Sequence, residues 1–301
     1  GELAPGATAY VTLEPCAHHG RTPPCANALI DAGIARVVGG ASDPDPRVSG
    51  NGYAILRAAG VAVTEGVLAE AAADLMAGYM NRSLRKRPEV ILKLALSTDG
   101  MIGRRGAGQV SITGEISRRE VQMIRAEVDA ILVGIHTVLE DNPALTVRLP
   151  GLESRSPARI VLDSRLRLPE ESKLVAETGR VPLIIATHTD ADPERRVVLE
   201  RHGVRFIGAD TVDGRIALPE LMEDLGSLGM ASVLVEGGAE VARAFLAEDL
   251  VDRIILFRGP VEIGEGGIAA PLDEDSIPPG FRLVRTMRFA DDYCNEWVRV
   301  S

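Results

Sequence analysis

Along residues 7–67, short apolar runs alternate with segments of helical spacing. ATAYVTL (7–13) reads as a strand, PPCANALIDAGI (23–34) as a helix closed by Gly33, and ARVVGGA (35–41) as a second strand. The loop DPDPRVSGNG (43–52) leads into helix YAILRAAG (53–60) and strand VAVTEGV (61–67). Strands separated by helices of this length imply right-handed crossovers and a parallel sheet. An Ala-rich helix, LAEAAADLMAGYMNRSL (68–84), then runs into Arg85-Lys86-Arg87-Pro88, a basic stretch with a proline stop. Three basic residues and a proline in an acidic chain read as a solvated linker rather than a nucleic-acid patch. This places a domain junction there, giving domains 1–86 and 87–301.

The second half alternates again. EVILKLALS (89–97) is a strand, SRREVQMIRAEV (117–128) a helix, and DAILVGIHTV (129–138) a strand with a turn. ARIVLDS, VPLIIATH, VRFIGA, SVLVEGG, RIILFRGP and EWVRV are further strand candidates, with helices around 192–202, 218–228 and 239–248. SVLV is apolar without alternation, as in a strand covered on both faces. No repeat of fixed period occurs.

Composition narrows the class. The chain has 301 residues, 46% hydrophobic and only 3% aromatic, so its cores are built from Ala, Val, Leu and Ile. The net charge of −10 argues against broad binding to nucleic acid or an anionic membrane. Three cysteines point to a reducing compartment, and neither an apolar run of about 18 residues nor a signal peptide occurs. The expectation is a soluble cytoplasmic protein.

Chemistry first shows in TLEPCAHHGRTPPC (12–25). Cys16 and Cys25 are a candidate thiolate pair for zinc, which such ligands plus an imidazole bind while leaving a position for water. Cys25 opens a helix, which favours its thiolate. Zinc deaminases add an upstream His and a Glu, and none of the eleven residues before Thr12 is His. The reading is an incomplete deaminase site in a chain cut inside a domain. Glu14, at a strand end, reads as a structural hydrogen-bonding group. Downstream, Asp99-Gly100 is a turn signal, and Lys93 on a buried strand needs a partner. Gly237-Gly238 joins a buried strand to a helix, a geometry that suits phosphate. No G-x-G-x-x-G follows a strand, which argues against a Rossmann domain.

TLEPCAHHGRTPPCANALIDAGIARVV closely resembles the deaminase half of the bifunctional riboflavin-biosynthesis deaminase/reductase family. KLALSTDGMIG, ITGEISRREVQMIRAEVDAILVGIHTVLEDNPALTVR and VLVEGGAEVARAFLAEDLVD resemble its reductase half. The resemblance implies a partial cytidine-deaminase-like domain followed by a dihydrofolate-reductase-like domain. Cys16 and Cys25 would then be zinc ligands. By position, Lys93 and Glu236 are catalytic and face the substrate ribose. Ala95, Ser111, Thr137, Asp141, Asp163-Ser164, Gly237 and Gly238 fall on contacts to NADPH. Gln109, Arg125, Leu145 and Arg148 fall on substrate contacts, the arginines gripping its phosphate. Arg21 is a further candidate for that phosphate. Many members carry Trp where this chain has Ser111. Arg118 and Arg119 are read as surface residues, His136 as packing, and Cys294 and Trp297 as core.

The resemblance implies reduction by NADPH of 5-amino-6-(5-phosphoribosylamino)uracil to the ribitylamino product. Its partners would be this phosphorylated pyrimidine and possible copies of the chain. Two alternatives stay open: a reductase with a non-catalytic N-terminal scaffold, and a zinc-stabilised binding module.

Overall fold

The computed structural model describes residues 4–20, 22–212 and 214–300. The chain divides into two compact units, Gly1–Arg87 and Pro88–Ser301.

In the first unit, strands β1 (Thr8–Leu13), β2 (Arg36–Ala41) and β3 (Ala62–Thr64) form a parallel sheet in that order. Helices α1 (Cys25–Asp31) and α2 (Asn51–Ala58) supply the crossovers, followed by α3 (Ala69–Leu75) and α4 (Ala77–Arg85). Val37, Ala26, Tyr53, Leu56 and Val61 make a small core. Gly39 is what lets Tyr53 in, because a Cβ there would lie 1.9 Å from the phenol oxygen. The single helix expected over 68–84 is two, broken at Met76. Ala72 in α3 is buried against Gly40 of β2, whereas α4 has no fully buried side chain. Close packing on Gly40 holds α3 to the sheet, while Tyr79 Oη of α4 donates to Asp43 Oδ1 at 2.9 Å, in the loop after β2.

The second unit begins with β4 (Glu89–Leu96), β5 (Met101–Arg104), α5 (Glu115–Glu127), β6 (Ala130–Gly134), α6 (Ile135–Asp141) and β7 (Ala158–Leu162). It continues with α7 (Lys173–Ala176), β8 (Leu183–His188), α8 (Pro193–Arg201), β9 (Arg205–Ala209), β10 (Thr211–Val212), β11 (Arg215–Ile216) and α9 (Leu218–Ser227). It closes with β12 (Ser232–Val235), α10 (Ala239–Ala247), β13 (Arg253–Arg258), β14 (Gly267–Ala269), β15 (Phe281–Phe289) and β16 (Asp292–Arg299). Nine strands form one sheet, in the order β15-β16-β13-β4-β12-β6-β7-β8-β9. The run from β13 to β9 is parallel, and β16 and β15 extend it antiparallel.

Both faces of the central strands are covered. Leu92, Leu132 and Val235 pack on one side with Leu221 of α9 and Phe245 of α10. Ile131, Leu234 and Phe257 pack on the other with Val121 of α5 and Val138 of α6. Among the described residues, no helix is long and apolar enough to cross a membrane.

Two expectations change here. The strand read over 129–138 stops at Gly134, and 135–141 form α6, with Ile135 and Val138 buried three apart on one face. A continuous apolar run does not separate strand from helix by periodicity alone. The last strand starts at Asp292 rather than Glu296 and pairs with β15, which the sequence did not announce. Arg282, Arg285 and Arg288 interrupt the apolar pattern of β15, as befits an edge strand with one wet face.

Candidate functional site

A cavity of about 910 Å³ opens in the second unit at the carboxyl ends of β4, β6 and β12, where parallel sheets present ligand sites. Strand β4 supplies Lys93 and Ala95, and the segment after β5 supplies Gln109 and Ser111. One face of α5 points Arg118, Gln122 and Arg125 inward at helical spacing, and α6 contributes His136, Thr137 and Asp141. Arg148 and the turn Glu236-Gly237-Gly238 complete the wall.

Placement of α5 depends on a distant carboxylate. Its N-cap, Gly114, has no side chain to offer, and Asp292 at the start of β16 replaces one. Asp292 Oδ2 accepts from Gly114 N at 2.7 Å and from Ser117 Oγ at 2.5 Å. This satisfies an orphan N–H and sets anionic charge at the positive end of the helix.

Electrostatically, the cavity centres on Glu236. Arg125 donates to both its oxygens, Nε to Oε1 at 2.8 Å and Nη2 to Oε2 at 2.7 Å, across 111 residues of sequence. Lys93 also lines the cavity, its Nζ 5.6 Å from the centre of the Phe257 ring. Burial pushes the Glu236 carboxyl up, but Arg125 and then Lys93 outweigh it and hold it below the usual carboxylate range. Burial holds the Lys93 ammonium below the ordinary lysine range, against an upward pull from Glu236. Desolvation lowers the Arg125 value, yet Glu236 raises it overall. Arg125 thus pairs directly with an ionised Glu236, and Lys93 acts on it through space.

Gly237 and Gly238 do different work. A Cβ on Gly237 would lie 2.7 Å from Val241 Cβ, so that glycine exists to seat α10 against the sheet. Gly238, with φ −65° and ψ 179°, has only Thr137 Oγ1 near the space its Cβ would fill, at 3.7 Å. That open cradle, the first free N–H groups of α10 and the Thr137 hydroxyl suit the phosphates of a dinucleotide. The residues present therefore fit NADPH. Asp141 also lines this part, its carboxyl pushed up by burial and by neighbouring Glu140.

Two expected contacts lie elsewhere. Leu145 is 4% exposed and packs in the core with Ile131, so its side chain does not reach the cavity. Ser164 is outside the lining and donates to Gly214 O at 3.3 Å. Its neighbour Asp163 is fully buried and accepts from Leu168 N at 2.9 Å. Conversely, the sequence reading left Arg118 on the surface and His136 in packing, and both line the cavity. For Arg118 the missed signal was its spacing of seven from Arg125 on one helix face. Asp99 serves the frame: it accepts from Ser97 Oγ, Ile263 N and Gly264 N, which hold its carboxyl down to about 2.

In the first unit, Cys16 and Cys25 are juxtaposed: Cys25 N donates to Cys16 Sγ at 3.1 Å. A hydrogen bond with Cys16, then burial, raises the Cys25 thiol. Among the described residues no third His, Cys, Asp or Glu joins them as a metal-holding group. The donor set on these residues does not fit a catalytic zinc. Glu14 is structural, as expected. Its Oε2 accepts from Gly50 N, and its Oε1 from Gly52 N and Tyr53 N, which caps α2. Arg21, considered for substrate phosphate, lies outside the described residues.

Comparison with known proteins agrees with this geometry. The family model for the RibD C-terminal domain matches residues 88–295. The riboflavin biosynthesis protein RibD of Actinobacillus pleuropneumoniae is 40% identical, over 98% of this chain and 79% of its own. The solved structure of Acinetobacter baumannii RibD, form 1, superposes with a TM-score of 0.82 at 34% identity, covering 99% of this chain and 82% of that one. A Thermotoga maritima structure described as a diaminohydroxyphosphoribosylaminopyrimidine deaminase/5-amino-6-(5-phosphoribosylamino)uracil reductase gives 0.79 at 33% identity, covering 96% and 78%. By sequence and by fold, this chain belongs to the RibD family.

Proposed function

We propose that the second unit is the reductase of riboflavin biosynthesis, converting 5-amino-6-(5-phosphoribosylamino)uracil to its ribitylamino product with NADPH. We read this unit as dihydrofolate-reductase-like and the first as part of a cytidine-deaminase-like domain. The observation that carries the reading is Glu236, gripped by Arg125 and facing Lys93, in the same cavity as the Gly238–Thr137 cradle.

When bound, NADPH supplies the two-electron reduction at C1′ of the ring-opened ribose. The chain's own residues hold the sugar for it. Glu236, kept ionised by Arg125 and Lys93, accepts from ribose hydroxyls, and Lys93 donates to them. With its value lowered by burial, Lys93 also gives up a proton to a ribose oxygen more readily than a free lysine does. Arg125 is committed to Glu236 and orients it. The phosphate end falls instead to Arg148, an exposed side chain at the cavity wall. Gln122 steadies it, accepting from Arg148 N at 2.8 Å. Arg118 adds a second guanidinium, tethered to Thr113 O at 2.6 Å. Holding the substrate in a reactive pose is worth several orders of magnitude in rate.

The test is to incubate the 301-residue chain with NADPH and the phosphoribosylaminouracil. Loss of reduced-nicotinamide absorbance, matched by ribitylamino product in the mass spectrum, is expected. NADPH left unconsumed by a folded chain would refute the reading.

A further inference from the structure

Lysine is scarce in this chain. Of 33 basic residues, three are lysines, at positions 86, 93 and 173. Lys86 and Lys173 are exposed, and Lys86 Nζ donates to Ser83 O at 2.9 Å. Lys93 alone among the three lines the cavity. Its Nζ has no hydrogen-bond partner among the described residues. It lies over the Phe257 ring, and Glu236 and Arg125 act on it through space.

A positive charge beside Glu236 does not by itself call for lysine. Elsewhere the chain sets arginine against carboxylates, as in Arg253–Glu89 and Arg258–Glu274. A guanidinium keeps its proton, whereas an amine can release one and become a nucleophile. Burial favours that neutral form at Lys93, against the opposing pull of Glu236, and the Arg125 charge adds to the effect. A desolvated lysine beside a second cation is the arrangement that reacts with carbonyl groups.

In the reductase reading, C1′ of the ring-opened substrate carries a C=N bond and is held beside Lys93. Hydrolysis of that bond leaves an aldose 5-phosphate, whose open-chain form presents an aldehyde at the same carbon. Its phosphate suits Arg148 and Arg118 as the substrate's does.

We propose that Lys93 condenses with the aldehyde of open-chain aldose 5-phosphates to form an imine, a reversible covalent adduct that occupies the ribose site. The Nζ lone pair attacks the carbonyl carbon, and one N–H proton passes to the oxygen, giving a carbinolamine. The nitrogen lone pair then forms the C=N bond as the C–O bond breaks, and the oxygen leaves as water with the second N–H proton. Nothing is oxidised or reduced, and no co-reactant is needed. The choice of sugar rests on the reductase reading; the amine and its surroundings do not.

The experiment incubates the full chain with ribose 5-phosphate and sodium borohydride, which delivers hydride to the imine carbon and fixes a secondary amine. Peptides are then mapped by mass spectrometry. Label is expected at Lys93, about 10-fold or more above Lys86 and Lys173, in line with a larger neutral fraction at a desolvated amine. Ribose without its phosphate should label Lys93 about 10-fold less, the weight of one charge-assisted contact. In Lys93→Arg, checked for folding by its melting curve, Lys86 and Lys173 should label as in wild type and the cavity label should be gone. NADPH oxidation with the phosphoribosylaminouracil is followed on the same wild-type preparation, and preincubation with ribose 5-phosphate should slow it reversibly. Labelling of Lys93 no greater than that of the exposed lysines, or equal labelling by ribose and ribose 5-phosphate, overturns the imine, and NADPH oxidation in that preparation leaves the reductase reading standing. Selective label at Lys93 in a chain that never oxidises NADPH supports the imine and removes the reductase reading alone.

Discussion

Glu14 and Glu236 each follow the last residue of a parallel strand, and each is nearly buried, at 3% residue and 11% side-chain exposure. Their partners differ in kind. Glu14 is surrounded by backbone N–H groups that begin α2, so it closes a helix end and has nothing left to offer. Glu236 is gripped by the Arg125 side chain, and the Lys93 charge acts on it through space. A carboxylate satisfied by main chain is part of the frame, whereas one paired with side-chain cations beside a cavity holds charge that chemistry can use. Two carboxylates largely removed from solvent thus carry unequal function.

The sharpest way to break that contrast is Glu236→Gln. It leaves Arg125 and Lys93 facing each other, and reductase kcat/KM should fall by about 100-fold or more, as when a preorganised charge is removed. Stability should fall too. Glu236 has a folded pKa below its unfolded one, so its contribution is present above the ordinary carboxylate value and lost as pH falls through the folded value. Melting curves of wild type and variant should therefore converge on acidification.

Lys93→Met comes next, with kcat/KM expected to drop by roughly 10- to 100-fold while the fold is kept. Because burial lowers its folded pKa, protonated Lys93 costs stability, and wild type gains as pH rises between the folded and unfolded values. The variant should melt at least as high as wild type near neutral pH, and its advantage should shrink in alkali. Activity of wild type should fall in alkali earlier than an ordinary lysine would dictate, and a pH–rate profile checks this.

Glu14→Ala probes the other side of the comparison. It strands the amides at the start of α2 and should destabilise the first unit by about 1–3 kcal/mol, seen by chemical denaturation. Reductase kcat should not move. The smallest effect belongs to Asp292→Ala, which uncaps α5 and should cost about 1 kcal/mol. Since α5 carries Arg118, Gln122 and Arg125, it should raise substrate KM more than it lowers kcat.

Much of the frame was legible because local signals agreed with tertiary packing. Helices 193–201, 218–227 and 239–247 fall within the expected ranges, and β12 reads as a strand covered on both faces. What escaped depends on long-range pairing. The hairpin β15–β16, the ribbon β5–β14 and the Asp292 cap on Gly114, 178 residues away, have no local signature. At the site, Lys93 advertised its need for a partner, because a lysine on a buried strand is costly alone. That Arg125 would be committed to Glu236 rather than to a phosphate was not legible, since only the fold brings them together. Gly237 was read as a phosphate turn, but its requirement comes from Val241.

If the charges around Glu236 serve reduction of a phosphoribosylaminopyrimidine, removing that carboxylate slows the reductive step itself. The most direct measurement is single-turnover NADPH oxidation by the 301-residue chain with that substrate, comparing wild type with Glu236→Gln under saturating cofactor. Rapid oxidation by wild type and a rate at least about 100-fold slower in the variant are expected. Equal rates in the two proteins would overturn that role for Glu236.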